Sequence, residues 1–262
     1  MGIISGFYTM PHPPIVIPEV GKGEEKKIQK TYDACMSVAQ EISKIKPDTI
    51  IVVTPHGTMF SDAFTLFGEN SIKGNLGVFK AHNVELDLQI NLELTQKISE
   101  KAKEIKISNV VADAHYLKLY GRRFELDHGA IVPLYFINQK YKDYKLVHIT
   151  YSMLSPLDHY KFGTAIKRAV EDFDTKAVFI ASGDLSHRLK EDGPYGFNEA
   201  GPIFDRKIIN HLEKGEVKDI FNMDTHMLSE AGECGLKSYY IMLGAMEGND
   251  IEGKLISYEG HF

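Results

Sequence analysis

Short apolar runs rich in β-branched residues alternate along this chain with stretches whose apolar positions recur every three to four residues. Residues 3–8, 49–53, 63–67, 145–150 and 177–181 are runs of the first kind and read as strands, the more continuous of them buried on both faces. Residues 109–113 are a shorter candidate. In residues 25–45, Ile28, Tyr32, Cys35, Met36, Ala39 and Ile42 fall on one face of a helix that ends at Lys46-Pro47-Asp48. Tyr160, Ile166, Ala169, Val170 and Phe173 form the buried face of another, opened by Ser155 with Pro156 at its first position. Further helices are predicted over residues 204–212, near Ile220, and through Tyr239, Ile241 and Met246. Asp127-His128-Gly129 is a polar turn into an apolar helix, which requires Pro133 to fall in the first turn. Residues 84–105 carry two periods. Val84, Leu86, Leu88, Ile90, Leu92 and Leu94 alternate as in a strand, whereas Leu86, Ile90, Leu94, Ile98, Ala102 and Ile105 make a longer helical stripe. Leucine content and length favour the helix.

Strands that alternate with helices predict an α/β fold: one domain over residues 1–262, with a central mixed, mostly parallel sheet flanked by helices on both faces. A chain of 262 residues, 43% hydrophobic and 25% charged, can bury a full core. A net charge of −6 argues against a nucleic-acid footprint or a polybasic membrane surface. No apolar run approaches the roughly 18 residues of a membrane span. Two cysteines, Cys35 and Cys234, with no apolar signal segment at the start, fit a reducing cytoplasm. Nothing in the sequence sets the oligomeric state, and a homo-oligomer is compatible with it.

Three predicted strands run straight into histidine-bearing loops: Pro11-His12-Pro13-Pro14, Thr54-Pro55-His56-Gly57, and Ser182-Gly183-Asp184-Leu185-Ser186-His187. Prolines stiffen the first two, and the carboxyl ends of strands are where α/β sheets bind ligands. His128 is a weaker candidate. His82, His115, His148, His159, His211, His226 and His261 read as core, capping or surface residues. Neutral imidazoles suit iron, zinc and copper, and two of them with a carboxylate make the facial triad of non-haem iron. Asp127, Asp184 and Glu233 are the carboxylate candidates, the first two also placed to orient a neighbouring histidine and the third to cap a helix. Cys234 is their rival, since a thiolate favours zinc or copper. The chain has no dinucleotide fingerprint and no nucleophile elbow.

These four histidine motifs, in this order, resemble class III extradiol ring-cleavage dioxygenases of the LigB type, and more closely the Memo-like and AmmeMemoRadiSam dioxygenase-like proteins. The resemblance covers residues 3 to about 260. It implies iron(II) held by His12, His56 and a glutamate, with Glu233 in the matching region, and a catechol-like aromatic substrate and O2 as reactants. Memo-type relatives place a cysteine where Cys234 stands, which leaves the third ligand and the metal open between iron, zinc and copper. His187 would be the catalytic base and His128 the group that binds and protonates the reacting oxygen. Alternatives are a Memo-like metal or redox protein without ring cleavage, and a zinc-dependent hydrolase. Some relatives continue into an AMMECR-type domain, which would suit the abrupt ending at Phe262.

Overall fold

A computed structural model describes residues 1–260; His261, grouped above with the core, capping or surface histidines, lies outside the described residues. In chain order the strands are β1 (Ile3–Met10), β2 (Thr49–Thr54), β3 (Phe64–Phe67), β4 (Ser71–Leu76), β5 (Ala81–Gln89), β6 (Asn109–Ala112), β7 (Lys145–Thr150) and β8 (Lys176–Ser182). The helices are α1 (Pro18–Gly21), α2 (Gln29–Ile45), α3 (Leu92–Glu104), α4 (Ala114–Leu119), α5 (His128–Asn138), α6 (Pro156–Phe173), α7 (Ala200–Lys214), α8 (Val217–Phe221), α9 (Thr225–Ala231) and α10 (Leu236–Ala245).

Six strands form one mixed, mostly parallel sheet in the order β1-β8-β2-β7-β3-β6. β1, β8, β2 and β7 run parallel, and β3 meets β7 antiparallel. One apolar cluster packs α3, α6 and α10 on one face of the sheet. The other packs α2, α5 and the β4–β5 hairpin on the opposite face. β2 is buried along its whole length, which accounts for its unbroken β-branched sequence.

Two expectations need correction. Residues 84–105 are not one helix: β5 pairs with β4 through Leu86 and Leu88, and only then does Asn91 cap α3, accepting from Leu94 N at 3.2 Å. Both periods were real and belong to consecutive elements. The strand precedes the helix because a partner, β4, satisfies its backbone, and the helical stripe that begins at Leu94 packs on the opposite face of the main sheet. Pro133 lies in the second turn of α5, not the first. It has no N–H to offer the Gly129 carbonyl four residues back, which therefore needs another donor.

Because four adjacent strands run parallel, Met10, Ser182, Thr54 and Thr150 end at the same edge of the sheet. That edge carries the three histidine loops.

Candidate metal centre

His12 follows β1 and is 1% exposed. Its backbone N–H donates to Asp184 Oδ1 at 2.8 Å, which ties the proline loop to the loop after β8. Its Nδ1 lies 2.9 Å from Ser182 Oγ, and that hydroxyl donates to the Gly129 carbonyl at 2.5 Å. The serine hydrogen is thereby committed, so Ser182 accepts from His12 Nδ1–H and the lone pair of His12 resides on Nε2. Nε2 faces His56 Nε2 at 3.0 Å and Cys234 Sγ at 3.6 Å.

The His12, His56 and Cys234 donor atoms all lie within 4.8 Å of one another. A tetrahedral ion with metal–nitrogen bonds of about 2.0–2.1 Å and a metal–sulfur bond of about 2.3 Å separates N from N by about 3.4 Å and N from S by about 3.6 Å. Donor type and spacing therefore fit a divalent ion. His56 reaches solvent on one side, but desolvation on its inner side, together with the imidazoles of His12 and His128, lowers its pKa to about 4. It is thus neutral and ligand-ready at ordinary pH. Burial raises the Cys234 thiol above its ordinary value, and Asp184 adds to the shift, so a metal would have to displace its proton.

Cys234 reaches the edge because two glycines touch backbone to backbone. A Cβ on Gly183 would stand 2.0 Å from Gly235 Cα. Across this contact Cys234 N and Gly235 N donate to the Asp184 carbonyl at 3.2 and 3.1 Å, and Asp184 N points at Cys234 Sγ at 3.3 Å. The Glu233 Oε2 accepts from Leu236 N at 2.6 Å at the start of α10.

His128 stacks on His56, with centroids 4.1 Å apart, and meets His12 edge-on at 5.5 Å. Desolvation and His12 lower its pKa. His187 directs Nδ1 at the Gly232 carbonyl, which can only accept, so Nε2 is the nitrogen able to take up a proton. Nε2 is 3.8 Å from Asp184 Oδ2. Burial opposes charge on His187, but Asp184 and the Gly232 carbonyl outweigh it and raise its pKa. Asp184 itself would be raised by burial; His12 and His187 hold it below the usual carboxylate range. Asp184, His187 and Cys234 form a second convergent group that shares the thiol.

Asp127 is the N-cap of α5, its Oδ1 taking Thr54 Oγ1 at 2.6 Å and Ala130 N at 3.2 Å. Its Oδ2 meets His148 Nε2 at 3.1 Å. Burial would raise this carboxyl, but His148 and Thr54 hold it well below the carboxylate range. His148, read from the sequence as an ordinary strand histidine, is thus the wholly buried support of the His128 turn. A polar residue at the centre of the buried run 145–150 was the available signal. A cavity of about 420 Å³ lies beside this cluster, between β1, α2, α7 and residues 251–259, and shares Pro11 and Asp184 with it. None of His12, His56, His128 and His187 lines it.

This parallel sheet edge gathers two imidazoles and a thiol that could hold a metal ion, beside two further histidines, on an α/β fold. Residues 6–262 match the family described as the catalytic LigB subunit of aromatic ring-opening dioxygenase, and the chain belongs to this LigB family. It is 51% identical over 259 residues to Protein CA_C1420 of Clostridium acetobutylicum, covering 99% of this chain and 55% of that protein. The chain therefore spans about half the length of that relative. It is 25% identical over 242 residues to the 3,4-dihydroxyphenylacetate 2,3-dioxygenase of Escherichia coli, covering 87% of this chain and 84% of the enzyme. A MEMO1 family protein of Methanococcoides burtonii is 28% identical over 134 residues, covering 48% of this chain and 50% of that protein. Among solved structures, the uncharacterized protein JW3007 from Escherichia coli K12 shares the fold, with a TM-score of 0.53 at 15% identity over 82% of each chain. Among the described residues no helix is long and apolar enough to cross a membrane.

Proposed function

We propose that this chain is a metal-dependent dioxygenase of the LigB type that opens a catechol-like aromatic ring with O2, with iron(II) as its metal. The observation that carries the reading is the convergence of His12 Nε2, His56 Nε2 and Cys234 Sγ beside His128 and His187. Similarity to a dihydroxyphenylacetate dioxygenase over most of both chains supports the substrate class.

His12, His56 and Cys234 would hold the ion, with Asp184 at hand; Glu233, the carboxylate that the family resemblance suggested, serves α10 instead. When bound, iron(II) supplies a template for two vicinal oxygens and a path for electrons from ring to O2. His187 takes the phenolic proton on Nε2, and Asp184 stabilises the resulting imidazolium. His128, neutral and stacked on His56, lies where it can hydrogen-bond the reacting oxygen and return a proton as the ring opens. Asp127 and His148 brace the turn into α5 that carries His128.

A thiol rather than a carboxylate in the donor group favours a second reading, a Memo-like metal or redox protein that does not cleave rings. Oxygen uptake after anaerobic iron loading, run on a panel of catechols, separates the two. Stoichiometric uptake with a ring-opened product is expected. Tight metal binding without uptake on any catechol would refute ring cleavage and leave the Memo-like reading.

A further inference from the structure

β1 is the end strand of the main sheet, and among the described residues it pairs with β8 alone, so its other edge has no strand beside it. Met10 turns its carbonyl toward β8, where it accepts from Gly183 N at 3.1 Å. Backbone groups along a strand alternate in direction, so the N–H and C=O of Phe7 and Thr9 face the free edge.

The cavity of about 420 Å³ runs along that edge. Consecutive residues of β1 from Phe7 to Pro11 line it, and so do the consecutive residues from Ile251 to Glu259. Successive side chains of a strand point to opposite faces, so such a lining marks the edge of β1 rather than one face. The walls agree. Phe7 packs with the apolar cluster of α7 and α10, and Met10 belongs to that of α2. The cavity takes lining from both layers, Ile208 and Leu243 on one side, Ala34 and Val38 on the other. It therefore lies in the plane of the sheet, between the two helical layers, where a further strand would run. Residues 251–259 roof it. They are tied down by Gly253 N to the Glu213 carbonyl, by the Tyr258 hydroxyl to Asp205 Oδ2 at 2.6 Å, and by Glu259 to Thr31 N at 2.7 Å. Among the described residues they make no backbone hydrogen bond to β1. The edge is covered and yet unpaired.

We infer that this slot takes an extended, basic peptide segment, which adds to β1 as a further strand. Phe7 and Thr9 offer it main-chain donors and acceptors. Because both walls are apolar, an occupant suits the slot when its side chains are apolar on both faces, as in a central strand. Charge then sets what flanks the apolar run. Glu41, Glu213 and Glu252 line the slot, and Lys254 is the one cation in the lining among the described residues. Lysines on either side of a short apolar run complement these carboxylates. The inference uses no group of the candidate metal centre and stands or falls apart from the proposed function.

The capped peptide Lys-Lys-Val-Leu-Val-Lys-Lys, titrated into the isotope-labelled full chain, tests it. Saturable amide shifts are expected at Phe7, Thr9 and residues 251–259, with slower hydrogen exchange at Phe7 and Thr9. A twin N-methylated along Val-Leu-Val has no hydrogen to give the β1 carbonyls and should bind at least about tenfold more weakly. A twin with glutamate in place of lysine should also lose at least about tenfold. Ala34→Phe fills the slot from α2 and should abolish the shifts at an unchanged melting temperature. Glu41→Lys, at an exposed position, leaves the slot open and should reduce the preference for lysine over glutamate, so it tests the inference even if Ala34→Phe fails to fold. Equal binding of the N-methylated twin would overturn the added strand and leave a cavity for small apolar molecules. Shifts that spare β1 and residues 251–259, or no saturable binding up to about 1 mM peptide, would overturn it as well.

Discussion

Replacing Cys234 by alanine, beside Glu233 by glutamine, separates the two candidates for the third donor. In the structure the thiol is 3.6 Å from His12 Nε2, while the Glu233 carboxylate accepts from Leu236 N at 2.6 Å. Loss of a mere partner to a metal-bound histidine costs about 10–100-fold in metal affinity. Loss of a ligand must exceed that, so Cys234→Ala should weaken binding by more than about 100-fold, or about 2.7 kcal/mol. Glu233→Gln keeps an oxygen that can accept from Leu236 N and removes no donor, so its affinity should stay within about threefold of wild type. Glu233→Ala loses the helix-start bond and should cost about 1 kcal/mol of stability, a drop of about 2–4 °C in melting temperature, again with metal retained. Metal content after dialysis, competition titration with a chromophoric chelator, and melting curves of each apo protein supply the three numbers. Retention of full metal by Cys234→Ala alongside its loss in Glu233→Gln would refute this reasoning and restore the carboxylate site.

Other consequences of the structure can be checked independently. His148→Phe removes the Nε2–H that meets Asp127 and leaves a buried carboxylate short of a donor; a loss of about 2–3 kcal/mol is expected in denaturant titrations, and His148→Gln should recover most of it. His159, on α6, is fully buried against Phe64, and desolvation lowers its pKa to about 4, against an unfolded value near 6.5. The unfolded chain binds the extra proton, so this histidine costs no stability above pH ~6.5 and progressively more as the pH falls toward 4. Between pH 7.5 and 5 the wild type should lose about 2 kcal/mol more than His159→Phe, and parallel pH profiles for the two would contradict the shift. Glu259 caps α2 from across the chain, accepting from Thr31 N at 2.7 Å and Thr31 Oγ1 at 2.9 Å, while Ile28 at the helix start gives no side-chain cap. Glu259→Ala should therefore lower stability by about 1 kcal/mol, read as a melting shift of about 2–4 °C.

Much of the fold was legible because the core imposes its period on the chain. β2 and β8 are buried along almost their entire length and read as unbroken apolar runs, and the α2 stripe from Ile28 to Ile42 is the face that lies in the core. Residues 84–105 misled because the alternation of β5 and the stripe of α3 share leucines, and only the pairing with β4 ends one and starts the other. That pairing joins residues on either side of a turn, and a local count of periods does not contain it. Pro133 misled for a related reason. Its cost to the helix is offset by a hydroxyl from β8, far away in the sequence.

The candidate site was legible in proportion to how local its causes are. Prolines beside His12 and His56 stiffen the loops that carry them, so these two residues could be picked out from the sequence around them. The approach of Cys234 to the two histidines has no such local cause. Glu233 and Cys234 are neighbours in a chain segment that suits either, and what brings the Cys234 thiol to His12 is a contact between Gly183 and Gly235, whose backbones come too close for a side chain on Gly183. That contact hangs Cys234 from the Asp184 backbone and turns it toward His12, leaving Glu233 to serve the first turn of α10. His148 was hidden in the same way, since its partner Asp127 reaches it through the fold rather than the sequence. Histidines that present a lone pair are therefore announced by the loops that hold them. The groups that decide which atom of each faces the centre, and which third atom joins them, lie on other elements: Ser182, Asp184 and the Gly129 carbonyl. Variants at these supporting positions, more than at the histidines, should show whether the centre is built for ring cleavage or only for holding a metal.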